Sequence, residues 1–117
     1  MRILLVDDDF TLRRTLKRRL SALAADMTVH EAGGVEEARG LLALHGYDAV
    51  VSDEHMPDGL GHLLLATMAK EQPSCRRALM SGNPPPDAPS AWETFFEKPN
   101  GLDALVAWVQ ALTPSEH

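Results

Sequence analysis

Ile3-Leu4-Leu5-Val6 runs straight into Asp7-Asp8-Asp9, four apolar side chains followed at once by three carboxylates. Similar junctions recur along the chain. Ala49-Val50-Val51 leads through Ser52 to Asp53, Ala78-Leu79-Met80 leads to Ser81-Gly82, and Phe95-Phe96 leads through Glu97 to Lys98-Pro99. A short apolar run that stops at a polar residue is the pattern of a strand buried on both faces whose C-terminal tip opens into a site. In open parallel α/β sheets, ligands bind outside those tips. Asp7, Asp8, Asp53, Ser81 and Lys98 are therefore expected to converge, although they lie up to about ninety positions apart. Three carboxylates, a hydroxyl and an ammonium suit Mg²⁺ and a phosphoryl group. The cation takes hard oxygen ligands, and the ammonium meets phosphoryl charge from the other side.

Between these strands the spacing turns helical. Leu12, Leu16, Leu20 and Leu23 form one stripe of a first helix. A strand is expected over Met27–Glu31, and a helix over Val35–Leu44 that begins after Gly33-Gly34 and buries Ala38, Leu41 and Leu42. His45-Gly46 should end that helix, the glycine suiting a left-handed cap. Further strands are expected at Ala49–Ser52, Arg77–Met80 and Thr94–Glu97. A helix over Gly61–Glu71 carries Leu64 and Met68 in register and stops before Pro73. The last helix opens at Asn100, with Asp103 placed as in a capping box, and buries Leu102, Leu105, Val106, Val109 and Leu112. Strand-helix alternation of this kind gives a parallel sheet covered on both faces.

One segment departs from the alternation. Of the 12 residues Gly82–Glu93, four are Pro84, Pro85, Pro86 and Pro89. Proline costs a helix interior about 3 kcal/mol. Pro89 fits only a first turn, and Ser90–Glu93 leaves room for little more, so a Pro-rich loop or a single helical turn is expected.

Taken in order, these residues resemble the receiver domain of two-component response regulators, over essentially the whole chain. Val6-Asp7-Asp8 is similar to that family's acidic pair, and Asp53 with Met56-Pro57 and Gly61 to its phosphoacceptor motif. Ser81 matches the switch hydroxyl, Lys98-Pro99 the Lys-Pro pair, and Phe95 the switch aromatic. The resemblance implies a single receiver domain over residues 1–117, standing alone. Its fold would be flavodoxin-like and doubly wound, with strand order 2-1-3-4-5 and the fourth helix shortened or replaced by the Pro-rich loop. It implies Mg²⁺, with Mn²⁺ as a substitute, held by Asp8 and Asp53 directly, by Asp7 directly or through water, and by the backbone carbonyl of His55. Asp53 would take a phosphoryl group from a histidine kinase or histidine phosphotransfer protein. Ser81 and Lys98 would bind the phosphoryl oxygens, His55 and Asn83 would tune hydrolysis, and a downstream protein would read the result. Leu60 departs from the family, which commonly has a small polar residue just before the glycine matched to Gly61.

Composition limits the alternatives. The chain has 117 residues, 44% hydrophobic and 24% charged, enough for one domain with its own core. A net charge of −6 argues against general binding to nucleic acid or anionic membrane. The single cysteine, Cys75, reads as a small buried residue and fits a reducing cytoplasm. No signal peptide and no membrane span are expected. Asp9 reads as a helix N-cap and Asp58 as a turn residue before Gly59. Arg13, Arg14, Lys17, Arg18 and Arg19 read as a solvated helix face that the resemblance would make a docking face. The histidines have poor spacing for a metal site, and Trp92 and Trp108 fit either core or interface. Asp7-Asp8-Asp9-Phe10-Thr11 also fits the opening motif of haloacid-dehalogenase-type phosphohydrolases. In that family the last acidic motif follows the lysine, whereas Asp53 precedes Ser81 and Lys98, so a receiver rather than an enzyme is expected.

Overall fold

The computed structural model describes residues 1–85, 87 and 91–113. Its main elements are β1 (Arg2–Val6), α1 (Phe10–Ser21), β2 (Thr28–Ala32), α2 (Val35–Leu44), β3 (Ala49–Asp53), α3 (Gly61–Glu71), β4 (Arg76–Ser81), β5 (Thr94–Glu97) and α4 (Leu102–Leu112). The five strands form one parallel sheet in the order β2-β1-β3-β4-β5. A short antiparallel pairing of His55–Met56 with Gly59–Leu60 lies between β3 and α3.

Alternation along each strand builds two cores. Ile3, Leu5, Ala49, Val51, Ala78, Met80 and Phe96 point to the face covered by α1 and α4, against Leu16, Leu20, Leu105 and Val109. Leu4, Val6, Val50 and Leu79 point to the opposite face, against Ala38 of α2 and Leu64, Leu65 and Met68 of α3. Strands buried on both faces need continuous apolar runs, which is why the runs were readable and why each must end where the sheet meets solvent. Trp108 packs beside Phe96 with ring centroids 6.0 Å apart, and Trp92 packs partly buried against the α2/α3 side, so both tryptophans contribute to packing.

Several local expectations shift. β2 starts and ends one residue later than its apolar pattern suggests, in register with β1 from Arg2↔Thr28 to Val6↔Ala32. β3 extends to Asp53, which pairs with Met80, and β4 takes in Arg76 and Ser81. The last helix has no capping box: it starts at Leu102 behind Gly101, with no side-chain cap. The backbone makes that turn instead, Gly101 N–H donating to the Glu97 carbonyl at 2.6 Å, while Asp103 pairs with Arg19 at 2.8 Å. Nor does Gly46 form a left-handed cap. His45 leaves α2 extended, and the chain runs directly to Tyr47, which is buried. Among the described residues no helix stands between β4 and β5. Pro86 and the turn expected at Pro89 and Ser90 lie outside the described residues, as does His117. No described helix is long and apolar enough to cross a membrane.

Candidate functional site

The tips of β1, β3, β4 and the residue after β5 meet at one edge of the sheet. Asp7 follows β1 and its N–H donates to the Ala32 carbonyl at 3.0 Å, which continues the ladder one residue past Val6. Asp53 ends β3. Ser81 ends β4, and its carbonyl accepts from the Lys98 N–H at 2.9 Å, so hydroxyl and ammonium leave adjacent strand ends together. One carboxylate oxygen each of Asp7, Asp8 and Asp53 lies within 4.8 Å of the others. Asp8 is exposed, whereas Asp7 and Asp53 are buried.

Lys98 joins this cluster from the far side. Its Nζ lies 2.8 Å from Asp7 Oδ2 and 3.3 Å from Asp53 Oδ1. That buried oxygen has the Lys98 ammonium as its sole polar partner among the described residues. Burial, then the charge of Asp7, pushes the Asp53 carboxyl above its ordinary pKa, although Lys98 and the Glu54 N–H pull it back. Burial alone would lower the pKa of Lys98. Its close pairing with Asp7 and then Asp53 outweighs that and holds the ammonium above the usual lysine value. A buried carboxylate oxygen with an unused lone pair, beside two more carboxylates, is a donor set that fits Mg²⁺.

The surrounding residues hold these groups in place. Asp9 caps α1, its Oδ1 accepting from Leu12 N–H at 3.0 Å, as its position suggested. Asp7 Oδ1 accepts from Asp9 N–H at 2.8 Å, which folds the acidic turn onto itself. Ser81 Oγ is buried and accepts from Asn83 N–H at 3.1 Å, which leaves its own hydrogen free to donate. Phe95 is partly buried on the α2/α3 side. It lines a groove of about 170 Å³ with Gly82, Asn83, Pro84, Pro85 and Glu97. His55 is exposed on the loop after Asp53.

Three features had no clear signal in the sequence. Arg13 is not on the solvated face of α1: it donates to the Asp7 carbonyl and pairs with Glu31 at 3.0 Å. Arg14 and Lys17 reach the same glutamate, so three cations of the basic face share one carboxylate. Asp58 does more than turn the chain, because its two oxygens accept from the N–H groups of Val35 and Glu36 at 2.8 and 3.0 Å and cap α2. Glu54, next to Asp53, is buried and bonded to His62. His30 bonds the Tyr47 hydroxyl at 2.7 Å and its ring lies 5.1 Å from that of His45, so two histidines distant in sequence meet in the fold. Cys75 is buried, which pushes its thiol up to about 11.

Residues 3–110 match the family described as response regulator receiver domain. Among solved structures, the chain is similar to the response regulator protein TrrA from Thermotoga maritima in complex with Mg²⁺-BeF. The two are 26% identical with a TM-score of 0.84, over 96% of this chain and 98% of that one. It is also similar to the signal receiver domain of an HD domain-containing protein from Pseudomonas fluorescens Pf-5, 32% identical with a TM-score of 0.81, over 95% and 93% of the two chains. A two-component response regulator from Clostridium difficile shares the fold at 24% identity and a TM-score of 0.84, over 96% and 94%. No curated protein matches the chain. The Asp7, Asp8 and Asp53 cluster is an acidic site of the kind that binds Mg²⁺ in phosphorylated domains of this type.

Proposed function

This chain belongs to the response regulator receiver domain family, whose members are phosphorylated by histidine kinases and are not themselves true enzymes, and we propose that Asp53 is its phosphoacceptor. The observation that carries this reading is the position of Lys98 Nζ, in contact with both Asp7 and Asp53 at the sheet edge. Asp53 Oδ1 is occupied by Lys98 and the Glu54 N–H, while Oδ2 accepts no hydrogen bond among the described residues. Oδ2 is therefore the nucleophile. It attacks phosphorus, the new O–P bond forms as the P–N bond of a phosphohistidine breaks, and the electron pair leaves on the imidazole nitrogen, which takes up a proton. Lys98 and the Ser81 hydroxyl then donate to the transferred oxygens.

Asp7, Asp8, Asp53 and the His55 carbonyl are the groups that would hold Mg²⁺. Bound there, the cation supplies charge neutralisation for a phosphoryl group entering a site with three carboxylates. The donor is a histidine kinase or a histidine phosphotransfer protein. The output is a protein that reads the groove between Gly82–Pro85 and Phe95, with Asn83 and His55 at the rim tuning hydrolysis.

Incubation with Mg²⁺ and acetyl phosphate should add one phosphoryl group, read by intact mass. Asp53→Asn should abolish the gain and leave the circular dichroism spectrum unchanged. Equal phosphorylation of that variant would sink the assignment. Metal binding has its own test in thermal unfolding. Mg²⁺ at a hundredfold excess over its dissociation constant should stabilise the fold by about 2.7 kcal/mol, and Asp8→Asn should remove most of that shift. An undiminished shift in Asp8→Asn would count against the ligand set.

A further inference from the structure

The loop that carries the His55 carbonyl runs from Asp53 to the start of α3, and its far end lacks the usual support. The residue at the N-cap of α3 is Leu60, which has no side chain able to accept from the helix. The first turn of a helix leaves N–H groups unpaired, and an apolar N-cap leaves them so. Here the acceptor comes from across the loop. Glu54 Oε1 accepts from His62 N–H at 2.8 Å, Oε2 lies 2.7 Å from His62 Nδ1, and the Glu54 carbonyl accepts from Gly61 N–H at 2.8 Å. The carboxylate is buried, and the positive end of α3 favours its charge.

We propose that Glu54 is a positioning residue for the metal-binding loop, capping α3 in place of Leu60 and so fixing the His55 carbonyl. The route is short. Leu60 pairs with His55 and Gly59 with Met56, so a shift of the α3 entrance passes directly to His55 across two paired residues. The other end of the lever is fixed too, since the Glu54 N–H donates to the Met80 carbonyl at 2.9 Å and joins β3 to β4. Asp58, at the tip of the same loop, spends its carboxylate on the N-terminus of α2. Two acidic residues thus tie one loop to two helices. Their charge is used on helix ends, leaving Asp7, Asp8 and Asp53 as the metal-facing set.

This inference rests on the assignment of Mg²⁺ to that set, and titration calorimetry with Mg²⁺ separates the two. Wild-type protein should bind. Glu54→Leu should weaken binding about tenfold, as loss of a supporting shell does, measured well below the unfolding temperature of each variant. Glu54→Gln, which keeps an acceptor for His62 N–H in the same shape, should fall between. Adding Leu60→Asn to Glu54→Leu should restore most of the affinity, because asparagine at the N-cap supplies an acceptor to the same helix end. A residue that matters only for stability would move the melting temperature of Glu54→Leu and leave its affinity within twofold, and that result would overturn the proposal. So would weakened binding that Leu60→Asn does not recover. Should Glu54→Leu fail to fold, wild-type affinity in Glu54→Gln with and without Leu60→Asn would overturn it equally. Absence of binding by the wild type would instead remove the metal assignment itself.

Discussion

Lys98→Met is expected to cost the fold about 3–5 kcal/mol at neutral pH without divalent cations, since it leaves two buried carboxylates without their counter-charge. Methionine keeps the length and apolar stem of the lysine, so the loss reports charge more than packing. The pH dependence follows from the signs. The pKa of Asp53 is raised in the folded protein by burial and by Asp7, so the fold prefers its protonated form. That contribution is present below the unfolded carboxylate value and is lost as pH rises through the folded one. The pKa of Lys98 is also raised, so its contribution is present at neutral pH and is lost only as pH rises through its folded value. Without Lys98, Asp53 rises further, and protonation relieves the clash. Urea unfolding should therefore show the penalty shrinking as pH falls from neutral toward the carboxylate range, and shrinking too on addition of Mg²⁺. A loss under about 1 kcal/mol, or one independent of pH, would mean that the ion pairs do not hold the site together.

Gly61→Ala should destabilise the fold as well, by a smaller amount. A Cβ at Gly61 would overlap the backbone carbonyl of Asp53 and come within 2.8 Å of Ser52 Oγ. Both neighbours belong to a buried central strand, and neither is the far end of a flexible side chain. Overpacking of this kind costs about 1–3 kcal/mol, and here the yielding atom belongs to the proposed nucleophile, so phosphoryl uptake should fall as well. Gly40→Ala is the control. Gly40 lies in α2 with nothing within 4 Å of an added Cβ, and it should gain about 0.5–1 kcal/mol. Thermal unfolding of the two variants side by side would settle the matter. A silent Gly61→Ala would show that α3 and β3 are less tightly joined than their geometry indicates.

The parts of this fold that were legible in the sequence are those fixed by nearest neighbours. Ile3 to Asp7 and Ala49 to Asp53 read as strand and tip because a doubly covered strand must be apolar until it meets solvent. The ends of α2 at Val35 and Leu44 and of α3 at Gly61 and Glu71 fell where glycine, leucine spacing and Pro73 put them. What could not be read depends on residues brought together only by folding. The Glu54 carboxylate resembles any solvated charge until His62 is seen beside it, eight positions away. Asp58 has the composition of a turn residue, and the N–H groups that donate to it lie 22 and 23 positions earlier. Arg13 belongs to a basic helix face by spacing, yet Glu31 and the Asp7 carbonyl draw it inward. The capping box at Asn100 failed for a different reason. Its pattern is short and common, and the tight backbone turn from Glu97 to Gly101 fixed the helix start first.

As the proposed phosphoacceptor, Asp53 would form an acyl phosphate at the acidic edge of the sheet. Borohydride reduces an acyl phosphate to an alcohol, so a phosphorylated aspartate is converted to homoserine and can be located by peptide mass spectrometry. After incubation with Mg²⁺ and acetyl phosphate, homoserine should appear at position 53 alone and vanish when the metal is chelated. Homoserine at position 7 or 8, or phosphate recovered on a histidine with position 53 unchanged, would contradict the account.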